Sequence, residues 1–422
     1  MLVSVLIAAQ YIGTLEVGNR TEVRARATQT ETPGVPPQGV VYGVDLMEQP
    51  AVHARLTDRR WEYDLAYTPM LTLPDVENGI QLTLSPPLDA TNASQLLQIG
   101  RAGVAWHDRI VRLSVTEDVT YGSFNSANLV PLAQASQAAT STGAGAPPVQ
   151  LSPAPQTIQT LSSRTQTTVN VRPSRRVSYS LGATWLTSGG LDTASQAVLP
   201  QQEGPRGDAS LSYALSRRDE AMTLAYAQGY SFTSAPCAFP SSPGQLCELR
   251  DQVVQVRQGI RHDVERSTTV MAAAGVAVGR SRLQSDQPYD VAVFPTADMT
   301  LTHRFADRGA AALQIRAQLE PAVDFRTGAL SNRAQGQASL SSAVSEVITL
   351  HAFANCLQTV PASDPLAATM VGGGAGIDLH AARSLTVTLS QSGMWQKQDP
   401  FGSFFSTFSS LAVTVAAPAL RF

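Results

Sequence analysis

The chain has 422 residues, of which 43% are hydrophobic, and its formal net charge is −3. A mean hydropathy of −0.04 is too polar for a helical membrane protein, and no window approaches the ~20 apolar residues of a spanning helix. The near-neutral charge also excludes a strongly basic surface, so we expect no nucleic-acid partner.

The first residues are a short apolar run, Leu2 to Ala9, that ends in small alanines where an export signal could be cleaved. The run lacks the positively charged start of a complete signal peptide. We therefore predict that residues 1–10 are a truncated signal peptide, with a hydrophobic first strand as the alternative. Because no linker divides the remainder, residues 11–422 are predicted to form one domain.

Several segments alternate strictly between apolar and polar residues. Trp61, Tyr63 and Leu65 alternate with Glu62 and Asp64, and the segments after Val111 and after Gly309 behave in the same way. Successive side chains of a β-strand point to opposite faces, so each segment predicts a strand with one apolar face and one charged face.

Short charged turns and long loops rich in Pro, Gly and Ser alternate along the chain. The turns are Thr57–Arg60, His107–Arg109, Pro173–Arg176, Arg217–Asp219, Val264–Ser267, Ala306–Gly309, Ser342–Ser345 and Ala381–Ser384. This asymmetry is typical of transmembrane barrels, which have short periplasmic turns and long extracellular loops. Eight hairpins with a first and a last strand predict an all-β, antiparallel, up-and-down transmembrane barrel of about 18 strands, within a range of 16–20.

Two other all-β folds share parts of this pattern. In a soluble sandwich the apolar faces would meet a second sheet, and in a β-propeller the repeat length of roughly 40 residues would form one blade. Each repeat here supplies only two long strands and has no recurring motif. The aromatic residues fall in two groups at opposite strand ends, which favours the barrel because aromatic rings sit at both membrane interfaces. These groups are Trp61, Trp106 and Phe305, and Tyr121, Trp185, Tyr230, Tyr289 and Trp395.

The chain ends in an aromatic residue, Phe422, preceded by Leu420 on the same phase. With the alternating strands, this ending resembles that of Gram-negative outer-membrane barrels of the porin-like group, in which it serves as an assembly signal. Pro418 and a one-residue phase shift after Val415 depart from that pattern. The predicted size is similar to that of sugar porins and of polysaccharide-export conduits. The resemblance implies a bacterial outer-membrane location, with lipid, the barrel-assembly machinery and a periplasmic export protein as partners.

A barrel of 18 strands would be roughly 35 Å wide, too wide for side chains to fill. The charged phase of its strands supplies the predicted pore-lining residues, which are Glu62, Asp64, Arg112, Asp118, Arg316, Glu320, Asp324 and Arg326. Their mixed signs predict weak ion selectivity. The longest loop, Asn125 to Ser163, has no charged residue and holds the position of a porin constriction loop. A surface loop is the alternative.

Cys237 and Cys247 share one long loop and are close enough in sequence to form a disulfide in an oxidising compartment. Two free thiols remain the alternative. The histidines near the turns (His107, His262, His303 and His380) belong to different strands and have no partner at ligand spacing. We therefore predict no catalytic, cofactor-binding or metal site, no cofactor and no enzymatic activity.

The sequence thus predicts an outer-membrane channel for hydrophilic solutes, either a porin or the terminal conduit of polysaccharide export. A structural or adhesive barrel that binds through its long extracellular loops is the alternative. A transporter of hydrophobic substrates ranks third, because the inner phase is polar.

Overall fold

In the computed structural model, the described residues are 12–31, 39–74, 76, 94–125, 157–199, 201–236, 246–282, 288–305, 311–323, 330–360, 367–398 and 402–421. They contain twenty β-strands and one short helix. The elements are β1 (Ile12–Glu31), β2 (Val41–Thr57), β3 (Trp61–Tyr67), β4 (Met70–Leu73), β5 (Gln95–His107), β6 (Val111–Asn125), β7 (Thr157–Val171), β8 (Val177–Gly190), α1 (Thr193–Val198), β9 (Gln201–Ala214), β10 (Asp219–Pro236), β11 (Leu246–Glu265), β12 (Thr268–Arg282), β13 (Asp290–Phe305), β14 (Ala311–Val323), β15 (Leu330–Ala343), β16 (Ile348–Val360), β17 (Ala368–Ala382), β18 (Leu385–Gln398), β19 (Gly402–Ala416) and β20 (Leu420–Arg421).

The strands form one closed antiparallel sheet. Each strand pairs with its neighbours along the chain, and β1 closes the barrel by pairing with β19 from Gly18↔Ala416 to Glu31↔Ser403. β3 and β4 are two pieces of one wall strand, because both lie between β2 and β5. β20 continues β19 against β1. The wall therefore has 18 strands, which confirms the predicted fold and strand count.

The two faces of the wall differ as the alternation predicts. Large apolar side chains such as Leu65, Leu181 and Val276 are exposed on the outer face, while the ion pairs of the described residues lie mainly on the other face. An apolar outside and a polar inside are what a membrane barrel requires. No helix in the described ranges is long and apolar enough to cross a membrane.

Serine side chains stabilise three of the short turns in the same way. The Oγ atom of Ser174 accepts hydrogen bonds from the N–H groups of Arg176 and Val177. Ser216 and Ser345 do the same for the residues two and three positions further on. Such side-chain bonds replace the backbone pairing that ends at a turn. Seven predicted turns are confirmed, and Ala306–Gly309 lies outside the described residues.

Two prolines face each other at each of two interruptions of the wall. The register on either side of the β3–β4 break places Pro50 opposite Pro69. The β13–β14 ladder ends at Ala297↔Leu319, and the same register would next place Pro295 opposite Pro321. Proline has no backbone N–H to donate, so each facing pair weakens the ladder at that point.

Some local predictions were wrong. Glu117 interrupts the apolar phase of its strand, which predicts either a bulge or the edge of the membrane. The bulge is wrong, because the register to β5 and β7 is unbroken, and the Glu117 carboxylate accepts hydrogen bonds from Ser163 (2.6 Å) and Thr165 on the outer face. The long loop is shorter than predicted, because β7 already begins at Thr157. The phase shift near the C-terminus is real, since Leu420 pairs with Leu15 one residue out of the β19 register.

Candidate functional site

Charged residues near the short-turn end of β2, β3 and β6 form ion pairs on the inner face. Glu62 contacts both Arg55 and Arg112, the latter at 3.6 Å. The carboxylate of Asp64 lies 2.7 Å from the imidazole of His53. Asp118 lies 3.7 Å from Arg101. The structure therefore places four of the predicted pore-lining residues on the inner face. Glu62, Arg112 and Asp118 each lie beside an opposite charge, and Asp64 lies beside an imidazole.

A second group of inner charges, on β1 and β2, was missed by the sequence analysis. Buried Glu22 lies between Arg20 at 3.0 Å and Arg24 at 3.1 Å, and Arg26 lies 3.4 Å from the buried Asp45. These residues alternate along β1, so their period was visible in the sequence. The sequence predicts only a short charged first strand, from about Thr21 to Thr28, whereas β1 begins at Ile12.

At its long-loop end the sheet opens between β13 and β14, while β15 stays paired with β16 as far as Asn332↔Val360. The end of the β14–β15 hairpin folds inward over the inner face of β10–β12. Beyond Leu319, β14 no longer pairs with β13 but continues to pair with β15 as far as Val323↔Leu330. Leu330 packs against Phe232 of β10 and Leu249 of β11, and its Cδ atoms approach Gly279 of β12. All three lie on inner positions of strands several places away around the barrel. We call residues 320–323 and 330–333 the hairpin arms.

Ion pairs hold the base of the hairpin arms against the inner face of β11 and β13. The guanidinium of Arg257 on β11 lies 3.5 Å from Asp298 on β13 and 3.7 Å from Glu320 on the arm. Arg316 donates to Asp298 at 2.9 Å, and the amide of Gln335 donates to Glu320 at 3.3 Å. Arg257 and Asp298 are almost fully buried, so solvent screens these pairs weakly.

The strand beneath the arms has small inner side chains. The inner positions of β12 between Met271 and Ser281 are Ala273, Gly275, Ala277 and Gly279. Their small size lets Arg257 reach Asp298 across β12 and leaves room for Leu330. The carbonyl of Pro295, at the end of the β13–β14 ladder, accepts a hydrogen bond of 2.9 Å from the Asn332 side chain. The structure thereby satisfies a backbone acceptor at the break.

Helix α1, between β8 and β9, forms a second inward element. Asp192 caps its N-terminus by accepting the N–H of Ser195 at 2.8 Å. The Ser195 hydroxyl accepts the N–H of Gln159 on β7, which ties the segment to the wall. Leu199 then packs against an inner apolar cluster, which consists of Met47, Met70, Leu97 and Ile158.

A cavity of about 320 Å³ remains between the arms and the wall. Its lining combines aromatic rings with amides and charges of both signs, including Tyr226, Tyr230, Gln228, Arg206 and Glu320. The guanidinium of Arg206 lies over the Tyr226 ring at 4.5 Å. Such a lining offers hydrogen-bond donors, acceptors and ring faces to a hydrophilic solute.

Of the predicted pore-lining residues, Arg316 and Glu320 lie at this constriction, and Asp324 and Arg326 lie outside the described residues. The part of the long loop predicted to constrict the pore, residues 126–156, also lies outside them. Cys237 does too, while the backbone of Cys247 pairs with Ala235 in the β10–β11 hairpin. The disulfide and the assembly role of Leu420 and Phe422 therefore stay predictions. In the described part of the chain, no group of three or more His, Cys, Asp or Glu could hold a metal ion.

A closed 18-stranded barrel with an apolar outside and a charged, partly obstructed interior defines a channel-type outer-membrane barrel. The chain belongs to the EpsX exopolysaccharide export family, whose model matches residues 6–416. No curated protein matches the chain.

Among solved structures, the chain is similar to OccK2 (OpdF) of Pseudomonas aeruginosa, with 9% identity and a TM-score of 0.44 over 95% of this chain and 98% of that one. OccAB4 of Acinetobacter baumannii gives 8% identity and a TM-score of 0.44 over 96% and 98%. The Pseudomonas aeruginosa OpdK structure with vanillate gives 9% and 0.42 over 94% and 99%.

Proposed function

We propose that the barrel is the outer-membrane conduit through which a hydrophilic polysaccharide leaves the cell, and that the hairpin arms narrow its passage. The observation that carries the proposal is the position of the arms. They fold inward over β10–β12 in a barrel whose inner wall is charged, and ion pairs and apolar contacts hold them there. The family to which the chain belongs supplies the class of solute.

The inner wall suits a long, hydrated solute. Its charges are paired with neighbours of opposite sign, so no strong net field would hold a charged polymer in place. Glutamine amides and tyrosine rings line the cavity beside the arms and can contact successive sugar units without a strongly bound state. Conduction requires such weak contacts, because a tightly bound solute would not leave.

The location and partners form part of the same proposal. The apolar outer face would contact outer-membrane lipid, and the barrel-assembly machinery would insert the chain, reading Leu420 and Phe422 as its signal. A periplasmic export protein would deliver the polymer to the short-turn end, and Cys237 and Cys247 would be free to pair outside the cell. The barrel would act without catalysis and without a cofactor.

Planar bilayers test the channel. Purified full-length protein should insert and conduct ions, with a conductance that falls when oligosaccharides of the exported polymer are added. A folded, inserted protein that neither conducts nor responds to the oligosaccharides would contradict a passage through the barrel. A strain lacking the protein should keep the polymer inside the cell, and a secretion level equal to that of the parent strain would contradict the export role.

The competing proposal, an adhesive barrel, rests on the length of the extracellular loops. Deleting Ala135 to Gln156, which lie outside the described residues, separates the two. A loop that enters the pore should change the conductance when it is removed, whereas an adhesive loop should change only binding to other surfaces. The hairpin arms already supply a constriction, so the conduit does not depend on this loop.

A further inference from the structure

A carboxylate lies on the apolar outer face of the barrel. Glu117 on β6 shares the outward phase of Leu113 and Tyr121, whose side chains are exposed. Its carboxylate accepts one hydrogen bond from Ser163 at 2.6 Å and another from Thr165, both of which are outward residues of β7. A carboxylate can accept about four hydrogen bonds, so roughly half of this capacity is unused.

Glu117 lies in the middle of the apolar band and not at its edge. Leu113, four residues below it, pairs with Trp106 of the aromatic group at the short-turn end. Tyr121 of the opposite aromatic group lies four residues above it. With a rise of about 3.3 Å per residue and a tilt of about 40°, each group is roughly 10 Å away along the membrane normal. A carboxylate at this depth meets hydrocarbon unless another protein surface covers it.

No cation of the chain lies beside this carboxylate on the outer face. Its outward neighbours on β5 and β6 are the uncharged Ala102, Val115 and Val119. Among the described residues, no outward position of β5 to β8 is an arginine, lysine or histidine. The long loops that flank these strands, residues 75–93 and 126–156, contain none of the three either. Two hydroxyl groups alone therefore solvate the Glu117 carboxylate, and leaving it exposed to lipid is unfavourable.

The same face carries a hydrogen-bond donor that is not used. Thr167 is the next outward residue of β7 after Thr165, and its hydroxyl has no partner among the described residues. Thr167 lies four residues above Val171 at the end of β7. Glu117 lies six residues above Val111 at the start of β6. These counts place a spare donor and a spare acceptor within about 5 Å of the same height on adjacent strands.

We propose that this patch is the contact between two copies of the chain, related by a two-fold axis along the membrane normal. Both copies have the same orientation in the membrane, so an axis between β6 and β7 brings residues of similar height together. Glu117 of each copy would accept a hydrogen bond from Thr167 of the partner subunit, and the contact would contain this bond twice. A two-fold contact uses the same patch on both copies, so a patch with both a spare acceptor and a spare donor suits it.

The residues beside the patch would let the two walls approach each other. Gly100 and Ala102 on β5 and Ala183 on β8 are outward and small, and small side chains allow close backbone approach within a membrane. Acyl chains can neither donate to Glu117 nor accept from Thr167. A second copy satisfies both groups, which favours it over lipid as the occupant. The proposal rests on the outer-membrane location and not on the identity of the exported solute.

Sedimentation equilibrium of the full-length protein in detergent tests the contact. The wild type should form a dimer, and Glu117→Val and Thr167→Val should each weaken it about ten-fold, because each removes the same pair of charge-assisted hydrogen bonds. The double variant should be no weaker than either single variant, since the bonds can be lost only once. Glu117→Gln keeps one acceptor oxygen and should fall between the wild type and Glu117→Val. It also keeps the test valid if the Val variant folds poorly.

Thr223→Val is the matched control. Thr223 is an outward threonine four residues above the short-turn end of β10, three strands away from β7. Its replacement should leave the dimer unchanged. A monomeric wild type, which would mean that lipid or another protein covers the patch, would overturn the proposal. A dimer that survives both substitutions, an equal loss in Thr223→Val, or additive losses in the double variant would do so as well.

Ion conductance separates this proposal from the conduit. Each copy keeps its own lumen, and the patch lies on the outer face, so the conductance of a single barrel should be the same in all these variants. A dimer that does not conduct would contradict the conduit alone, and a monomer that conducts would contradict the contact alone.

Discussion

The two places where prolines face each other in the wall have opposite outcomes. At Pro50 and Pro69 the strand resumes on the far side, and β4 pairs again with β2 and β5 in the register of β3. At Pro295 and Pro321 the ladder does not resume within the described residues, and the end of β14 folds inward over β10–β12. A facing pair of prolines is therefore followed by a continuous wall in one region and by an inward hairpin in the other.

The difference lies in what each arm meets on the inside. Above the first break, Met70 joins the inner apolar cluster on the wall itself, so the strand gains by staying there. Above the second break, Glu320 forms an ion pair with Arg257, and Leu330 packs against Phe232 and Leu249. The small inner residues of β12 leave room for both contacts. A proline pair thus permits a strand to leave the wall, and the inner side chains determine whether it does.

Restoring the second ladder should have the largest effect. In a Pro295→Val, Pro321→Val variant, both positions regain an N–H, and β14 can continue to pair with β13 beyond Leu319. The arms should then join the wall, and the conductance in planar bilayers should rise about two-fold or more as the cross-section opens.

The matched control is Pro50→Val with Pro69→Val, which lies in a wall that is already continuous. Its conductance should match that of the wild type. An equal rise in both variants would show that the prolines act on the barrel as a whole and would contradict the account of the arms.

Removing the apolar contact of the arms should have the next largest effect. Leu330 is partly buried against Phe232 and Leu249, and such a contact contributes about 1.5 kcal/mol, a bias of roughly ten-fold toward the docked arm. Leu330→Asp should reverse that bias and increase the time spent in high-conductance states in single-channel recordings. Leu330→Met conserves the contact and should behave like the wild type. Recordings in which both variants match the wild type would exclude Leu330 as a latch.

The sequence was sufficient for the barrel but not for its interior. Alternation such as Trp61, Tyr63, Leu65 against Glu62 and Asp64 identifies a two-faced strand, and the rhythm of turns gives the strand number. The same alternation continues through Leu319, Pro321 and Val323, where β14 has separated from β13. A period of two records which residues share a face but not whether that face meets lipid or the lumen.

The constriction could have been found only by combining distant positions. Pro295 and Pro321 become significant only when the register puts them opposite each other. The small inner residues of β12 become significant only when Leu330 of β15 is known to lie over Gly279. Both facts depend on pairing between strands, which a single sequence does not state. The constriction predicted in the long loop after Asn125 from the resemblance to porins falls on residues 126–156, outside the described residues, and stays a prediction.

Adding a side chain at Gly279, beneath Leu330, should change the conductance less than removing Leu330 does, because the arm can shift before it undocks. A Cβ atom on Gly279 would lie 3.2 and 3.3 Å from the Leu330 Cδ atoms, so even an alanine would be tight and a phenylalanine would displace the arm. Gly279→Phe should therefore increase the conductance by less than Leu330→Asp does. Val278→Phe is the control, because the neighbouring side chain points outward, and it should leave the conductance unchanged. A Val278→Phe variant that conducts like Gly279→Phe would mean that bulk anywhere on β12 disturbs the barrel.

Replacing a charged residue of β1 should have the smallest effect on conductance, because the ion pairs of β1 do not contact the hairpin arms. Glu22→Gln leaves Arg20 and Arg24 without the carboxylate between them, and breaking such a buried pair costs on the order of 3 kcal/mol. The loss should appear as a lower denaturant midpoint of the reconstituted barrel, with little change in conductance. Arg257→Met should lower the midpoint as well, but it should also open the channel, since Glu320 on the arm then loses its partner. If both variants changed the conductance equally, ion pairs within the wall and ion pairs to the arm would have the same role, and the contrast between the two regions would fail.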